Sequence, residues 1–487
     1  MDAEDIAFLS ATELVAAFRD KRLSPVEVAR VVLDRIDRLN PTLNAFVLVD
    51  HEAAMRDARA SEARWMRGEP ADPVDGVPAS VKDLILAKGW PTLRGSLTVD
   101  AAGPWNDDAP STARLRESGA VLLGKTATPE FGWRGSTDSP RHGITRNPWN
   151  TGKTPGGSSG GATAAIAAGL GALATGTDGG GSIRIPAAFT GTVGIKAHFG
   201  RVPAWPLSPM GTVAHVGPQV RTVEDAALML DVLARPDPRD WTALPPPPGS
   251  WAAALAGDAS RAGAFATGTD LKGLRIAYSP RLGYVRHVDP EIEAAVARAA
   301  QVFERLGARV EQVDPGLPDS AGTFATHWFS SARNLLHRMP ADKLALLDPG
   351  LRDSIEFAAR YTIDDFLDAQ RARGELAVRM ATFHERWDLL LTPAVAVQPF
   401  DVGLVMPPLP EGVVPIMGAD WTWWTPFSFP FNLTQQPALV MPCGTSGAGL
   451  PLALQLVAPN HREDLCLRAG RAYEQVTPWG ASRPPIA

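Results

Sequence analysis

Apolar positions recur along this chain at two spacings, one near 3.6 residues and one near two, and the segments that carry them alternate. In "SPVEVARVVLDRIDRL", from Ser24, the residues Val28, Val31, Val32 and Leu39 fall on one face of a helix. Ser24, Pro25 at the first helical position and Glu27 predict its start as a capping box, and Ser10 with Glu13 predicts the same device for "SATELVAAF". "DGVPASVKD" is short, alternating and punctuated by proline, which predicts a strand whose end carries Lys82. Two helices and this strand account for the first ninety residues.

Further on, "STARLRESG" reads as a helix leading to the strand "AVLLGKT". "LKGLRIAYSP" reads as a strand, "DPEIEAAVARAAQVFERLG" as a helix and "ARVEQVD" as a strand again. Three late strands, "WDLLLTPA", "PALVMPCG" and "PLALQLVAP", precede a closing helix, "REDLCLRAGRAYEQV". Helix and strand in alternation predict βαβ units and an α/β fold. The Pro-rich "RPDPRDWTALPPPPGSW" from Arg235 is a linker or a surface loop.

Composition narrows the function classes. With 45% hydrophobic and 21% charged residues the chain has the make-up of a globular protein. A formal net charge of -6 and no Lys/Arg block argue against a surface that tracks nucleic-acid phosphates. The acidic start "MDAEDIAFLS" lacks the basic and apolar regions of a secretory signal, so a cytoplasmic location is expected. The uncharged run from Thr154 to Thr177 is made of Gly, Ala, Ser and Thr and reads as a buried helix with its flanking loop. Cys443 and Cys466 read as packing residues. The nine histidines show no ligand spacing, so neither metal nor cofactor is expected.

Three glycine motifs carry candidate chemistry. "GAVLLGKT", Gly119 to Thr126, satisfies the phosphate-loop pattern, but its apolar centre is a strand and no helix start follows. "GGSSG", Gly156 to Gly160, satisfies the nucleophile-elbow pattern of an α/β-hydrolase esterase with a Ser-His-Asp triad, but Thr154 and Pro155 stand where that fold needs a strand. The third motif, "GTDGGGSIRIPA" from Gly176, follows closely.

Taken together, "TPGGSSGG", "GTDGGGSIRIPA" and Lys82 in "GVPASVKD" resemble the amidase signature family. "LRGS", "LLGKTATPEFGW", "RNPWN", "GTVGIKAHFGRVP" and "PFNLTQQPALVMPCG" agree with it. The resemblance is weakest between about 235 and 387 and departs at Ala197, where a proline is common. It implies Ser182 as nucleophile, Ser158 as a bridging serine after a cis peptide bond, and Lys82 as base. It also implies support from Ser159, Asp178 and Arg184, and an oxyanion hole from the backbone N–H groups of Gly179, Gly180, Gly181 and Ser182. Phe131, Gly132 and Trp133 would lie beside the acyl site, with Trp421 and Trp424 bordering the substrate channel, although each tryptophan could equally pack the core. The expected fold is an α/β/α sandwich, a central mixed β-sheet flanked by helices. One domain is expected over 1–487, with N-terminal helices at about 5–40, a catalytic core at about 70–235, a loop at about 235–270 and a substrate-channel part beyond.

A serine is a weak nucleophile until a base takes its proton, and a lysine does so only when neutral. Bringing a lysine from about 10.4 to near neutrality takes roughly 4 kcal/mol of preference for the uncharged form, which burial can supply. Asp83 would oppose this if it touched Lys82, but successive strand residues face opposite ways, so the two head groups are expected apart. The aromatic residues favour hydrophobic or aryl amides, with carbamates (urethanes) and esters as further substrates of the same carbonyl geometry. The glutaminase component of glutamyl-tRNA amidotransferase, which works within a larger complex, is the alternative within the family. Partners are expected to be small molecules, with neither nucleic acid nor membrane, and a homodimer is an open expectation.

Overall fold

The computed structural model describes residues 1–411 and 420–486, without the side chains of 420 and 421. The strands are β1 (Phe46–Val49), β2 (Pro78–Lys82), β3 (Val121–Thr126), β4 (Asp138–Ser139), β5 (Gly143–Ile144), β6 (Leu173–Asp178), β7 (Val193–Lys196), β8 (His215–Val220), β9 (Arg275–Tyr278), β10 (Arg309–Gln312), β11 (Leu389–Pro393), β12 (Ala438–Thr445) and β13 (Pro451–Val457). Eleven of them form one sheet in the order β1-β3-β2-β6-β8-β7-β12-β13-β11-β9-β10, and β4 and β5 form a separate small hairpin. The sheet is mixed: β2 runs parallel to β3 and β6, and β9 parallel to β10 and β11, while β6 and β8, β7 and β12, and β12 and β13 are antiparallel.

Every residue of β2, β3, β11 and β13 is buried. Alternate residues of a strand face opposite ways, so both faces of the sheet are covered, and the covering elements are helices. The predicted α/β architecture with a central mixed sheet is therefore the observed one. Strand β12, from near the C-terminus, lies between β7 and β13, so early and late parts of the chain share one ladder.

The first ninety residues hold more than two helices and a strand. Ala3–Phe8 is a helix, β1 pairs antiparallel with β3, and His51–Arg67 is a helix capped by Asp50, which accepts from the Ala53 N–H. The buried positions of that last helix include Ala53, Ala54, Ala58 and Ser61, too small to register as an apolar stripe. The Ser10–Glu13 capping box is present, with reciprocal bonds of 3.1 and 2.8 Å. At Ser24 the expectation is corrected: its oxygen accepts from Val26 N–H and its hydroxyl donates to Glu62 across a helix pair, so no box with Glu27 forms. The Pro-rich segment after Arg235 is a packed loop, with the Arg239 guanidinium over the Trp205 ring and donating to the Asp108 carbonyl.

Candidate active site

Strand β2 ends at Lys82, and its neighbour β6 ends at Asp178, so the two glycine clusters meet at the carboxyl ends of adjacent parallel strands. Such strand ends are where open α/β sheets gather ligand-binding loops. The first cluster is a loop leading into the helix Gly160–Ala167, and the Gly157–Ser158 peptide bond is cis. Thr137 fastens this loop, donating to the Gly156 carbonyl and accepting from Gly160 N–H. The second cluster runs from β6 into the helix Arg184–Thr190. The Ser159 N–H donates to the Ser182 carbonyl at 3.1 Å and joins the two loops.

Lys82 is fully buried, and its Nζ lies 2.7 Å from Ser158 Oγ, 2.8 Å from Ser159 Oγ and 2.8 Å from Thr177 Oγ1. The Ser159 hydroxyl donates to the Thr177 carbonyl, and its oxygen also accepts from Thr177 N–H. Burial drives Lys82 well below the ordinary lysine value, with the Asp178 charge opposing weakly. Asp83 faces elsewhere: its carboxylate accepts from Leu93 and Gly95 N–H and lies 3.9 Å from Lys125 Nζ. The separation expected from strand alternation is observed.

Asp178 and Arg184 form a buried ion pair, both side chains fully enclosed, through Nε–Oδ2 at 2.9 Å and Nη2–Oδ1 at 3.0 Å. Arg184 also donates to Gln455 and Asn432, and Asn432 donates back to Asp178. Burial would raise the Asp178 carboxyl, but the charge and hydrogen bonds of Arg184, aided by Asn432, outweigh it and hold the group below the usual carboxylate range. This carboxylate also organises the glycine loop by accepting from Gly181 and Ile183 N–H at 2.8 and 3.1 Å.

The four N–H groups of the expected oxyanion set differ in their engagement. The Gly181 N–H is committed to Asp178, whereas those of Gly179, Gly180 and Ser182 have no hydrogen-bond acceptor among the described residues. Gly181 sits at φ +128°, and a Cβ there would stand 2.5 Å from Ser428 Oγ, so the turn requires glycine.

Ser158, Ser182 and Thr177 line a cavity of about 310 Å³. Its walls are mostly apolar and include Leu84, Leu86, Phe131, Trp205, Met210 and Trp328. Of the expected substrate-binding residues, Phe131 and Gly132 line it, and a Cβ at Gly132 would stand 3.2 Å from Ser158 Oγ. Trp133 and Trp424 do not line it. Trp133 is buried, its carbonyl accepting from Trp328 Nε1, and Trp424 stacks on Phe189 with Phe400 at its edge. Both pack in the interior, the alternative the sequence left open. Trp421 stands in the short 3-10 turn Asp420–Trp424, and its side chain lies outside the described residues.

Sequence reasoning missed Thr177, Trp205, Trp328 and His215 as neighbours of the site. Thr177 is next to Asp178 in the second cluster and could have been found from the register of β6. Trp328, in the helix Ala321–Leu336, reaches the site only through the tertiary fold. His215 pairs with Asp178 across β6 and β8 and lies 3.5 Å from the buried Lys196 Nζ. Burial, reinforced by Lys196, holds it well below the usual histidine value. The phosphate-loop pattern at Gly119–Thr126 is strand β3, and Lys125 is buried with its Nζ donating to the Ile85 carbonyl and Thr92 Oγ1.

A buried lysine amine held by three hydroxyls thus lies beside a mostly apolar cavity, at the carboxyl ends of two adjacent strands of a mixed sheet. The amidase family profile matches residues 27–467, and the chain belongs to this family, the amidase signature enzymes, which makes it a hydrolase of amide C–N bonds. It is 38% identical to an acylamidase of Rhodococcus erythropolis over 99% of this chain and 98% of that one. It is 34% identical to a component, the one designated A, of the glutamyl-tRNA(Gln) amidotransferase of Chloroflexus aggregans, over 99% of each. Among solved structures, a bacterial aryl acylamidase superposes with a TM-score of 0.87 at 31% identity, covering 98% of this chain and 99% of that one. A 6-aminohexanoate cyclic dimer hydrolase superposes with a TM-score of 0.86 at 29% identity, covering 99% of each.

Proposed function

We propose that this amidase cleaves hydrophobic or aryl amides, and with them carbamates and esters, through a covalent acyl intermediate on Ser182. The observation that carries the reading is the buried Lys82 amine within 2.8 Å of three hydroxyls, beside a mostly apolar cavity that Ser158 and Ser182 both face. A neutral amine has two N–H groups and one lone pair. Ser159 and Thr177 take the two N–H groups, and the lone pair is left for the Ser158 proton. Ser158 in turn accepts the Ser182 proton as Ser182 Oγ bonds to the substrate carbonyl carbon.

Negative charge then develops on the carbonyl oxygen, and the N–H groups of Gly179, Gly180 and Ser182 are unengaged donors for it, worth about 3 kcal/mol each. As the C–N bond breaks, Ser158 returns a proton to the departing nitrogen and is reprotonated by Lys82. Water repeats the sequence on the acyl-enzyme, releasing the acid and restoring Ser182. Asp178 and Arg184 hold the glycine loop in shape. The likeness to an acylamidase and an aryl acylamidase supports amide substrates, and the walls of Phe131, Trp205 and Trp328 support apolar ones. The sheet shared by early and late strands supports reading 1–487 as one domain.

The test is an activity screen of chromogenic anilides, esters and carbamates, with fluorophosphonate labelling mapped by mass spectrometry. Turnover with labelling at Ser182 is expected; turnover that survives Ser182→Ala overturns the reading. The 34% identity to an amidotransferase component favours a second reading, glutamine hydrolysis in a complex. Glutamine turnover that appears only with added partner proteins, and none of the anilides cleaved, would select it.

A further inference from the structure

The cavity has polar lining besides the hydroxyls around Lys82. Three ionisable side chains line it: Arg94, Asp178 and His215. Asp178 is paired with Arg184, and His215 is buried with Nδ1 on the Val213 carbonyl. The Arg94 guanidinium has neither a hydrogen bond nor an ion pair among the described residues. Its backbone is fixed: Arg94 N–H donates to the Asp83 carbonyl at 3.1 Å, and its carbonyl accepts from Phe131 N–H at 2.8 Å. Asp83, the acidic group whose charge reaches Arg94, spends its oxygens on Leu93 and Gly95 N–H and faces Lys125. Arg94 is half-buried, and that burial lowers it below its ordinary value.

Two more features face the same cavity. The eight-residue helix Pro110–Glu117 begins at Ala109, which offers no side-chain cap, and Ala109 and Ser111 both line the cavity. The helix start is fixed there by Ala109 N–H and Thr112 Oγ1, which both donate to the Leu86 carbonyl. Ser111 is 1% exposed, and among the described residues its hydroxyl has no partner. Asp108, just before this helix, is occupied by Arg116 and by Lys88 N–H. A half-buried guanidinium without a protein partner is free to meet a planar anion that accepts two parallel N–H bonds. Uncapped N–H groups at a helix start favour the same sign of charge.

We propose that Arg94, Ser111 and the start of the Pro110–Glu117 helix form a carboxylate-binding subsite of the substrate cavity, so that the preferred substrates are apolar or aryl amides carrying one carboxylate. This rests on the amide-hydrolase reading above and adds the substrate class. A carboxylate is the anion of choice because the guanidinium fork matches it in geometry as well as in charge.

The test compares isosteric pairs that place the carboxylate on either side of the scissile bond. On the acyl side the pair is adipoyl mono-4-nitroanilide against hexanoyl 4-nitroanilide, and on the amine side hexanoyl-4-aminobenzoate against hexanoyl-4-toluidide. In at least one pair the wild-type enzyme should favour the carboxylate by about ten- to hundredfold in kcat/KM, expressed mainly in KM. Arg94→Gln should collapse that ratio, Arg94→Lys should restore part of it, and Ser111→Ala should lower it a fewfold. Preference for the neutral member in both pairs, or a ratio that Arg94→Gln leaves unmoved, overturns the proposal. Competitive binding of benzoate against benzyl alcohol to the wild-type enzyme keeps the question decidable if the variants misfold. Should no anilide turn over, the amidase reading fails by itself, while tighter binding of benzoate still supports the subsite and equal binding overturns it.

Discussion

Asp83 turns its carboxylate toward Lys125, 3.9 Å away, while Lys82, its neighbour in the chain, sends its amine to Ser158 at 2.7 Å. The last residue of β2 and the one after it thus serve two separate environments, and among the described residues no carboxylate contacts the amine. A carboxylate in contact would favour the charged lysine by the same electrostatics that burial works against.

The acid limb of the pH–rate profile follows from this arrangement. The base is active when unprotonated, and burial lowers Lys82, so kcat/KM should rise with pH through that lowered value and level off well before the ordinary lysine range. Lys82→Ala should reduce kcat by about 10²- to 10⁴-fold, and Lys82→Arg should not rescue it because guanidinium stays charged. Initial rates on a chromogenic anilide across pH check both; a wild-type profile that climbs only near pH 10 would contradict the first.

Lys125 predicts a stability change with pH. Burial lowers it to about 8, against 10.5 for a free lysine. Between those values the unfolded chain keeps a proton that the folded chain has released, so stability attributable to this group rises with pH and is lost as pH falls through 8. Lys82 and Lys196 shift the same way, so the informative quantity is a difference. Urea midpoints from pH 7 to 10.5 should rise more steeply for the wild type than for Lys125→Met.

Removing one member of the Asp178–Arg184 pair leaves the other buried and uncompensated. Asp178→Asn should cost about 3–5 kcal/mol of stability and also release the Gly181 and Ile183 N–H groups that the carboxylate now holds. Denaturant unfolding measures the first effect. The second should appear as a fall in kcat for the population that remains folded, with KM changing less.

Trp328 and Trp424 should part company under mutation. Trp424→Ala empties a packed site against Phe189 and Phe400 and should cost about 3–5 kcal/mol, with the ranking of anilide substrates as in the wild type. Trp328→Ala enlarges the cavity beside Gly179, where a Cβ would stand 2.5 Å from the indole ring. Bulky acyl groups should gain on small ones by about tenfold in kcat/KM, within the range that pocket-filling groups command.

Much of the fold and the placement of the two glycine loops could be read along the chain, because strand and helix periodicities and cap residues act over a few positions. His51–Arg67 escaped, since its buried face consists of small side chains, and Ser24 found Glu62 rather than Glu27 because a hydroxyl is indifferent to sequence distance. At the site, the Lys82 amine contacts Ser158 and Ser159, and Ser182 lines the same cavity as Ser158. Which tryptophans face the cavity was left open by the sequence: Trp424 packs in the core, and Trp328, on which no expectation fell, lines the cavity.

By itself the sequence determined the local elements and the chemical groups available to them, together with the family whose motifs they match. Only the tertiary structure decided that Gly181 N–H serves Asp178, that Thr177 joins the hydroxyls around Lys82, and that Arg94 and Ser111 share a cavity. The reason is physical: periodicity and capping are set by neighbours in the chain, whereas the burial, charge and hydrogen-bond partners that give a group its reactivity come from residues scores of positions away.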